Sequence, residues 1–215
     1  METTYNIVEL FTSIQGEGKM VGTKMFFVRL FECNLSCAFC DEPRHKDADM
    51  VSPRSISFIV KEAKKARVEW VCITGGEPSL QNVNPLIHAL QEVGISVAVE
   101  SNGYRPINIH TADFLTLSPK RRKDIKLVDT VTDQTRKWDE VKVVVARDAE
   151  GFFSLGKDDR DTMKSLWEVS DAVFVQPLND DNTVNGDNLD YAIELIDAHP
   201  QLRLSVQLHK MIGVA

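Results

Sequence analysis

The sequence predicts a single α/β domain built on a mostly parallel sheet, and three observations carry that prediction. Short runs rich in β-branched and other apolar residues recur along the chain. The stretches between them place apolar residues at helical spacing. With 215 residues and 43% hydrophobic content, the chain can bury one substantial core and falls within the ordinary size of one domain.

Taken in order, Tyr5 to Thr12 reads as a strand that runs into a glycine-bearing loop, Gln15-Gly16-Glu17-Gly18. Residues 1–22 are thus expected to form a leading strand and loop. Further strands are expected at Lys24 to Leu30, Val68 to Thr74, Ile95 to Ser101, Phe114 to Leu117, Glu140 to Val145, Ala172 to Val175 and Arg203 to Leu208. Ile56 to Ala66 puts Ile56, Ile59, Val60 and Ala63 on one stripe, as a helix covering a sheet would. Pro85 to Val93 and Asn188 to Ala198 read the same way. Right-handed crossovers wind such units into an open sheet or a partly or fully closed barrel. In either case ligands gather at the carboxyl ends of the strands. Polar signatures follow the predicted strands at Glu32 to Cys40, Gly75-Gly76-Glu77-Pro78, Ser101-Asn102-Gly103, Ser118-Pro119-Lys120, Gln176-Pro177 and His209-Lys210. One mouth of the fold therefore collects the candidate chemistry.

The net charge is -7, and no basic stripe marks a nucleic-acid footprint, so a small molecule is the expected partner. The cluster Lys120-Arg121-Arg122-Lys123 either holds an anionic group or is a solvated loop. No charged leader precedes an apolar segment, and no run of about 18 apolar residues occurs, so a cytoplasmic protein without membrane contact is expected. Of the four cysteines, three crowd together and Cys72 lies alone in an apolar run. That layout suits metal or cluster ligation better than a disulfide framework.

Cys33-x-x-x-Cys37-x-x-Cys40 offers three thiolates from one short loop. Three is an incomplete set for a closed four-thiolate site, so an open coordination position is implied. Iron-sulfur clusters are held by thiolates. The rival is structural zinc with His45 as fourth ligand, although His45 also reads as a surface residue in a polar stretch. With Phe39 before the last cysteine, the motif resembles the signature of the radical S-adenosylmethionine (SAM) superfamily. The resemblance implies a partial (β/α)6 barrel of mostly parallel strands and a 4Fe-4S cluster on Cys33, Cys37 and Cys40. It further implies SAM chelated to the open iron and cleaved by one electron to a 5'-deoxyadenosyl radical. Gly75-Gly76-Glu77-Pro78 looks like the superfamily's SAM-contacting turn, with Glu77 accepting from an ammonium group. By the same resemblance, Phe39, Asp41, Gly76, Ser118, Pro119, Lys120, Gln176, Pro177, Leu178 and Asn179 would face SAM.

The loop upstream of the cysteines, Phe11 to Gly18, is not explained by cluster or SAM. Together with Arg29, Cys40-Asp41, the later motifs and His209-Lys210, it resembles the 7-carboxy-7-deazaguanine synthase family. That family converts 6-carboxy-5,6,7,8-tetrahydropterin to 7-carboxy-7-deazaguanine with loss of ammonia, on the route to queuosine. The resemblance implies that Ile14, Gln15, Gly16, Arg29, Thr74 and the C-terminal Ala215 line the substrate. A pterin presents a donor-acceptor edge that Gln15 can pair with, and Arg29 offers a planar fork for its carboxylate. A structural ion pair of Arg29 with Glu32 is the alternative. The resemblance also implies a flavodoxin or ferredoxin as electron donor, a homodimer, and a magnesium ion. Where the family pattern has Thr or Ser after Cys-Asp, this chain has Glu42. Its carboxylate is expected either to ligate magnesium or to pair with Arg44 or Lys46 and dispense with the ion. Two other readings remain open at this point: a radical SAM activase that installs a glycyl radical on a partner, and a zinc-stabilised binding module.

Overall fold

The computed structural model describes residues 2–129, 134–147 and 155–214. Nine strands form one sheet. They are β1 (Thr4–Ile14), β2 (Lys24–Leu30), β3 (Ser52–Ser55), β4 (Trp70–Gly75), β5 (Ser96–Ser101), β6 (Phe114–Leu117), β7 (Glu140–Val145), β8 (Val173–Pro177) and β9 (Arg203–Leu204). The helices are α1 (Ile56–Ala66), α2 (Asn84–Gln91), α3 (Arg160–Val169), α4 (Gly186–Ala198) and the short α5 (Leu208–Met211).

The hydrogen-bonded order runs β9-β8-β7-β6-β5-β4-β2-β1-β3. All neighbours from β9 to β2 are parallel, while β1 joins β2 and β3 antiparallel at one edge. The fold is thus mixed α/β with a mostly parallel sheet, and no hydrogen-bonded closure joins β9 to β3 among the described residues. Pro53 lies in β3, the edge strand, where a missing N–H is tolerated.

Alternation along the strands decides what each face carries. Phe26, Val28 and Leu30 of β2, Val71 and Ile73 of β4, Val97 and Val99 of β5, Val141 and Val143 of β7, and Val173 and Val175 of β8 all join one large core. That core also takes Ile59 and Ala63 of α1, Leu86 and Leu90 of α2, Met163 and Leu166 of α3, and Ala192 and Leu195 of α4. The opposite face has a small apolar floor of Met25, Phe27 and Cys72, with Phe11, Met20 and Trp70 packed on it. Caps fix where the helices begin: Ser55 Oγ accepts from Phe58 N, Asp159 from Thr162 N, and Asn185 from Asn188 N.

Most predicted elements appear within a residue or two of their expected bounds. The expected strand Arg203 to Leu208 is shorter, because its chain leaves the sheet after Leu204 and turns into α5. Ser205 hydrogen-bonds to Gln176, and Gln207 to Glu17.

Candidate active site

The second face of the strands carries a polar row where the first carries valine and leucine. Arg29 pairs in register with Thr74, Glu100 with Thr116, and Thr116 with Glu140. Lys142 and Gln176 continue the row on β7 and β8. Lys142 is 3% exposed, and its ammonium donates to Glu17 at 2.5 Å and to Glu100 at 3.0 Å. Burial works against that charge, but Glu100, Glu17 and Glu140 overcome it and hold the lysine well above its ordinary pKa. Burial would likewise raise Glu17, yet Lys142 and Gln207 keep its carboxyl below the usual range. Glu100 also accepts from Gln15 Nε2 at 3.1 Å and from Thr74 Oγ1 at 3.2 Å. Gln15 Oε1 accepts from the backbone of Glu17 at 3.1 Å. The Gln15 amide, expected to read a ligand edge directly, is therefore fixed by protein partners on both ends, and Glu100 stands between it and Thr74.

The C-terminal end of the sheet closes over this row. Leu208 N donates to Gly16 O at 3.0 Å. A Cβ on Gly16 would lie 2.1 Å from His209 Nδ1 and 2.6 Å from its backbone nitrogen, so this contact requires glycine. Gln207 Nε2 bridges Glu17 at 2.9 Å and Asp41 at 3.0 Å, and Lys210 Nζ reaches Asp41 at 3.0 Å. Partial desolvation at the cavity wall would raise the Asp41 carboxyl, but Lys210 and Gln207 hold it low.

The cysteine loop leaves β2 and is locked to the turn after β4. Gly76 N donates to Leu30 O at 3.0 Å and Glu77 N to Glu32 O at 2.7 Å. A Cβ on Gly76 would meet Glu32 O at 1.7 Å. The neighbour that demands this glycine is the chain's own backbone. Glu77 is buried and accepts from Ser101 Oγ at 2.6 Å, Asn102 N at 2.6 Å and Ser79 N at 2.9 Å. Its carboxylate thus braces the ends of β4 and β5 together, and burial raises its pKa against those hydrogen bonds.

Cys33, Cys37 and Cys40 are free thiols at a half-buried loop. Burial pushes Cys33 and Cys40 up, so their thiolates need a compensating positive charge. Among the described residues no three His, Cys, Asp or Glu side chains gather closely enough for one metal ion. A 4Fe-4S cluster spreads its ligands over separate irons, and three thiolates leave one iron open. His45 is not the surface residue expected: it is 2% exposed, its Nδ1 is bonded to the Glu42 carbonyl, and it lies 4.0 Å from Cys40 Sγ. Its Nδ1 is therefore already occupied, which weakens it as a zinc ligand.

A cavity of about 1130 Å³ unites these parts. Its wall includes Cys33, Cys37 and Cys40, and also Ile14, Gln15, Gly16, Arg29, Phe39, Asp41, Glu42 and Thr74. Gly76, Glu77, Ser118, Lys120, Gln176, Pro177, Leu178 and Asn179 complete the predicted set. Pro119 does not line it, and Ala215 lies outside the described residues. Asn102 Oδ1, Asn179 Nδ2 and His45 Nε2 are buried atoms without a protein partner, all on lining residues. Such orphan groups fit a site shaped for a polar ligand such as SAM. Lys120 donates to Ser118 Oγ at 2.7 Å and lies 5.9 Å over the Phe39 ring, with its pKa lowered by burial. Glu17, Glu100, Lys142 and Gln207, which no sequence motif singles out as ligand-facing, also stand in this wall. For Glu100 and Lys142 a signal existed: Glu100 is the lone charge of β5, Lys142 shares β7 only with Glu140, and a charge left unpaired in such apolar strands would be too costly.

The donor set around Glu42 does not fit a magnesium ion. Glu42 Oε1 accepts from Arg44 Nε at 2.7 Å and Arg44 N at 3.2 Å. Oε2 accepts from Arg44 Nη2 at 2.5 Å and faces Arg29 Nη1 at 3.4 Å. Both oxygens are thereby filled by cations, and burial, which would raise the carboxyl, is outweighed by Arg44 and Arg29. Arg29 pairs with Glu9 and Glu42, not with Glu32 as the alternative expected.

The radical SAM superfamily model matches residues 29–120, the span from Arg29 to Lys120. A 7-carboxy-7-deazaguanine synthase of Bacteroides thetaiotaomicron is 36% identical over 210 residues, covering 97% of both chains. The chain belongs to the 7-carboxy-7-deazaguanine synthase family. A second family member, from Burkholderia multivorans, is 32% identical over 98% of this chain and 99% of its own. The crystal structure of QueE from Escherichia coli has the same fold, with a TM-score of 0.66 at 22% identity over 96% of this chain and 95% of that one. Membership in the 7-carboxy-7-deazaguanine synthase family, within the radical SAM superfamily, brings a 4Fe-4S cluster and SAM as cofactors.

Proposed function

We propose that this chain is a radical SAM lyase that converts 6-carboxy-5,6,7,8-tetrahydropterin to 7-carboxy-7-deazaguanine with release of ammonia, on the route to queuosine. The observation that carries the reading is the shared wall: the three cysteines and the row Arg29, Thr74, Glu100 and Lys142 face one cavity. When bound, the cluster and SAM supply the hydrogen-abstracting radical, and the chain's own residues bind and orient. Cys33, Cys37 and Cys40 would hold the cluster. Phe39, Asp41, Gly76, Glu77, Ser118, Lys120, Gln176, Pro177, Leu178 and Asn179 would contact SAM, with Glu77 acting largely as the brace of that wall. Pro119 would set the turn between Ser118 and Lys120 without touching the ligand.

Ile14, Gln15, Gly16, Arg29 and Thr74 would line the pterin, and Ala215 would approach it. Glu100, oriented by Gln15, Thr74 and Lys142, offers a carboxylate acceptor suited to the N–H groups of a pterin edge. Lys142 is kept protonated by its carboxylates, so it serves as a fixed cation and not as a base. Magnesium has no part in this reading. No helix among the described residues is long and apolar enough to cross a membrane. The chain would work as one domain in the cytoplasm, as a homodimer, with a flavodoxin or ferredoxin supplying electrons.

The test is anaerobic turnover of the reconstituted protein with the pterin acid, SAM and reductant. Release of the deazapurine acid and ammonia is expected, and its absence from protein holding about four irons per chain would reject the reading. Alanine at Cys33, Cys37 or Cys40 should abolish the iron content, whereas Cys72→Ala, in the apolar floor, should keep it.

A further inference from the structure

The segment Glu42-Pro43-Arg44 builds a charge clamp that neither the cluster nor SAM explains. Pro43 opens a single 3-10 turn, and Glu42 caps it through Arg44 N. The same carboxylate then grips the Arg44 guanidinium with both oxygens, at 2.7 and 2.5 Å. Glu9 Oε2, on β1, accepts from Arg44 Nη2 at 3.1 Å and from Arg29 Nε at 3.3 Å. Two carboxylates therefore carry two guanidinium groups between them. The plane of Arg29 is set further by Phe11, whose ring centroid lies 5.3 Å from the guanidinium carbon. Among the described residues, Arg29 Nη2 and Arg44 Nη1 have no protein partner, and both arginines line the cavity.

A magnesium ion on Glu42 would need its oxygens at about 2.0–2.1 Å. It would displace the clamp and sit against two fixed positive charges. The geometry supports the opposite arrangement. We propose that Arg44, locked by Glu42 and Glu9 beside Arg29, is the resident cation that receives the substrate's carboxylate, so that binding of the acid needs no divalent metal. The proposal rests on the pterin-acid reading above. Arginine suits the task because its planar fork can keep one edge on Glu42 and offer its remaining N–H groups to a second carboxylate. The two glutamates neutralise the arginine pair while the site is empty, and they fix its orientation.

The test uses the reconstituted protein with SAM and the stable aromatic acid 6-carboxypterin, its affinity measured by calorimetry in EDTA and in millimolar magnesium. Unsubstituted pterin is the control ligand. Wild-type affinity for the acid should agree within about twofold between the two buffers, and manganese(II) should keep its free-ion electron paramagnetic resonance signal beside the protein. Arg44→Gln should weaken the acid by about tenfold or more, as loss of a charge-assisted contact does, and leave pterin itself unchanged. Arg44→Lys, which keeps the charge and loses the fork, should fall between. Arg44 is half exposed, and iron content reports whether each variant is intact. Acid binding that tightens several-fold with magnesium, or an Arg44→Gln variant that binds the acid like wild type, would overturn the proposal while leaving the substrate reading in place. Failure of wild type to prefer the acid over pterin in either buffer would overturn both.

Discussion

Replacing Lys142 by methionine keeps the length of the side chain and removes the one cation that Glu17 and Glu100 share. The lysine side chain is 4% exposed and those of its partners are 15% and 24% exposed, so solvent screens the triad weakly. At a charge separation of about 4 Å and an effective dielectric of about 20, each attraction is about 4 kcal/mol before desolvation. Deleting one member of a buried ionic group costs about 3–5 kcal/mol, because the charges left behind stay buried and uncompensated. A loss of that size is a large share of the about 5–15 kcal/mol that holds an ordinary domain together. The sign of its pH dependence follows from Glu17. In the variant this carboxylate stays buried without its cation, so burial moves its folded pKa above the unfolded value of about 4.3. A carboxyl raised in the folded state contributes stability below its unfolded pKa and loses it as pH rises through the folded one. The deficit of Lys142→Met should therefore be smaller at about pH 5 than at about pH 8. Adding Glu17→Gln should recover part of it. Urea unfolding followed by circular dichroism across that range measures both effects. A deficit under about 1 kcal/mol, or one that does not shrink in acid, would refute the buried-triad argument.

Gly76→Ala should cost about 3 kcal/mol or prevent folding, because its Cβ would lie 1.7 Å from the Glu32 carbonyl oxygen and both sides of the clash are backbone; thermal melts compared with Gly94→Ala, which meets no neighbour but has a positive φ, separate crowding from conformational strain. His209 has its pKa lowered by burial, so the folded state resists its protonation and stability should fall as pH drops below about 6.5; His209→Gln should flatten that part of the stability profile measured by urea unfolding.

The parallel strands were legible because each is a short β-branched run, and β2, β6 and β7 coincide with the expected bounds. β3 escaped notice because Pro53 argues against a strand in sequence, and it is tolerated only because the strand sits at the edge. α3 carries Met163, Leu166 and Val169 at helical spacing and a cap at Asp159, but these are few apolar residues among many charges. The cysteines and the turn of Gly75 to Pro78 could be read from spacing, since their chemistry is local. The partners of Glu42 could be named from sequence as alternatives, but choosing among them required knowing that Glu9 on β1 lies beside Arg44. Glu100, Lys142 and Gln207 are joined only by the winding of the sheet, and no local pattern links residues so far apart.

That winding also has a consequence for how the protein is made. Gln207 donates to Glu17 across 190 residues of sequence, and Leu208 closes on Gly16 beside it. The loop of Glu17 must wait for Gln207, 190 residues later in the sequence, before this partner exists. Closing so long a loop adds conformational entropy to be overcome and slows the step. The strands that hold the cysteines can pair well before then. The cavity would therefore acquire its cluster-binding side first and its last wall only once Gln207 and Leu208 have been made.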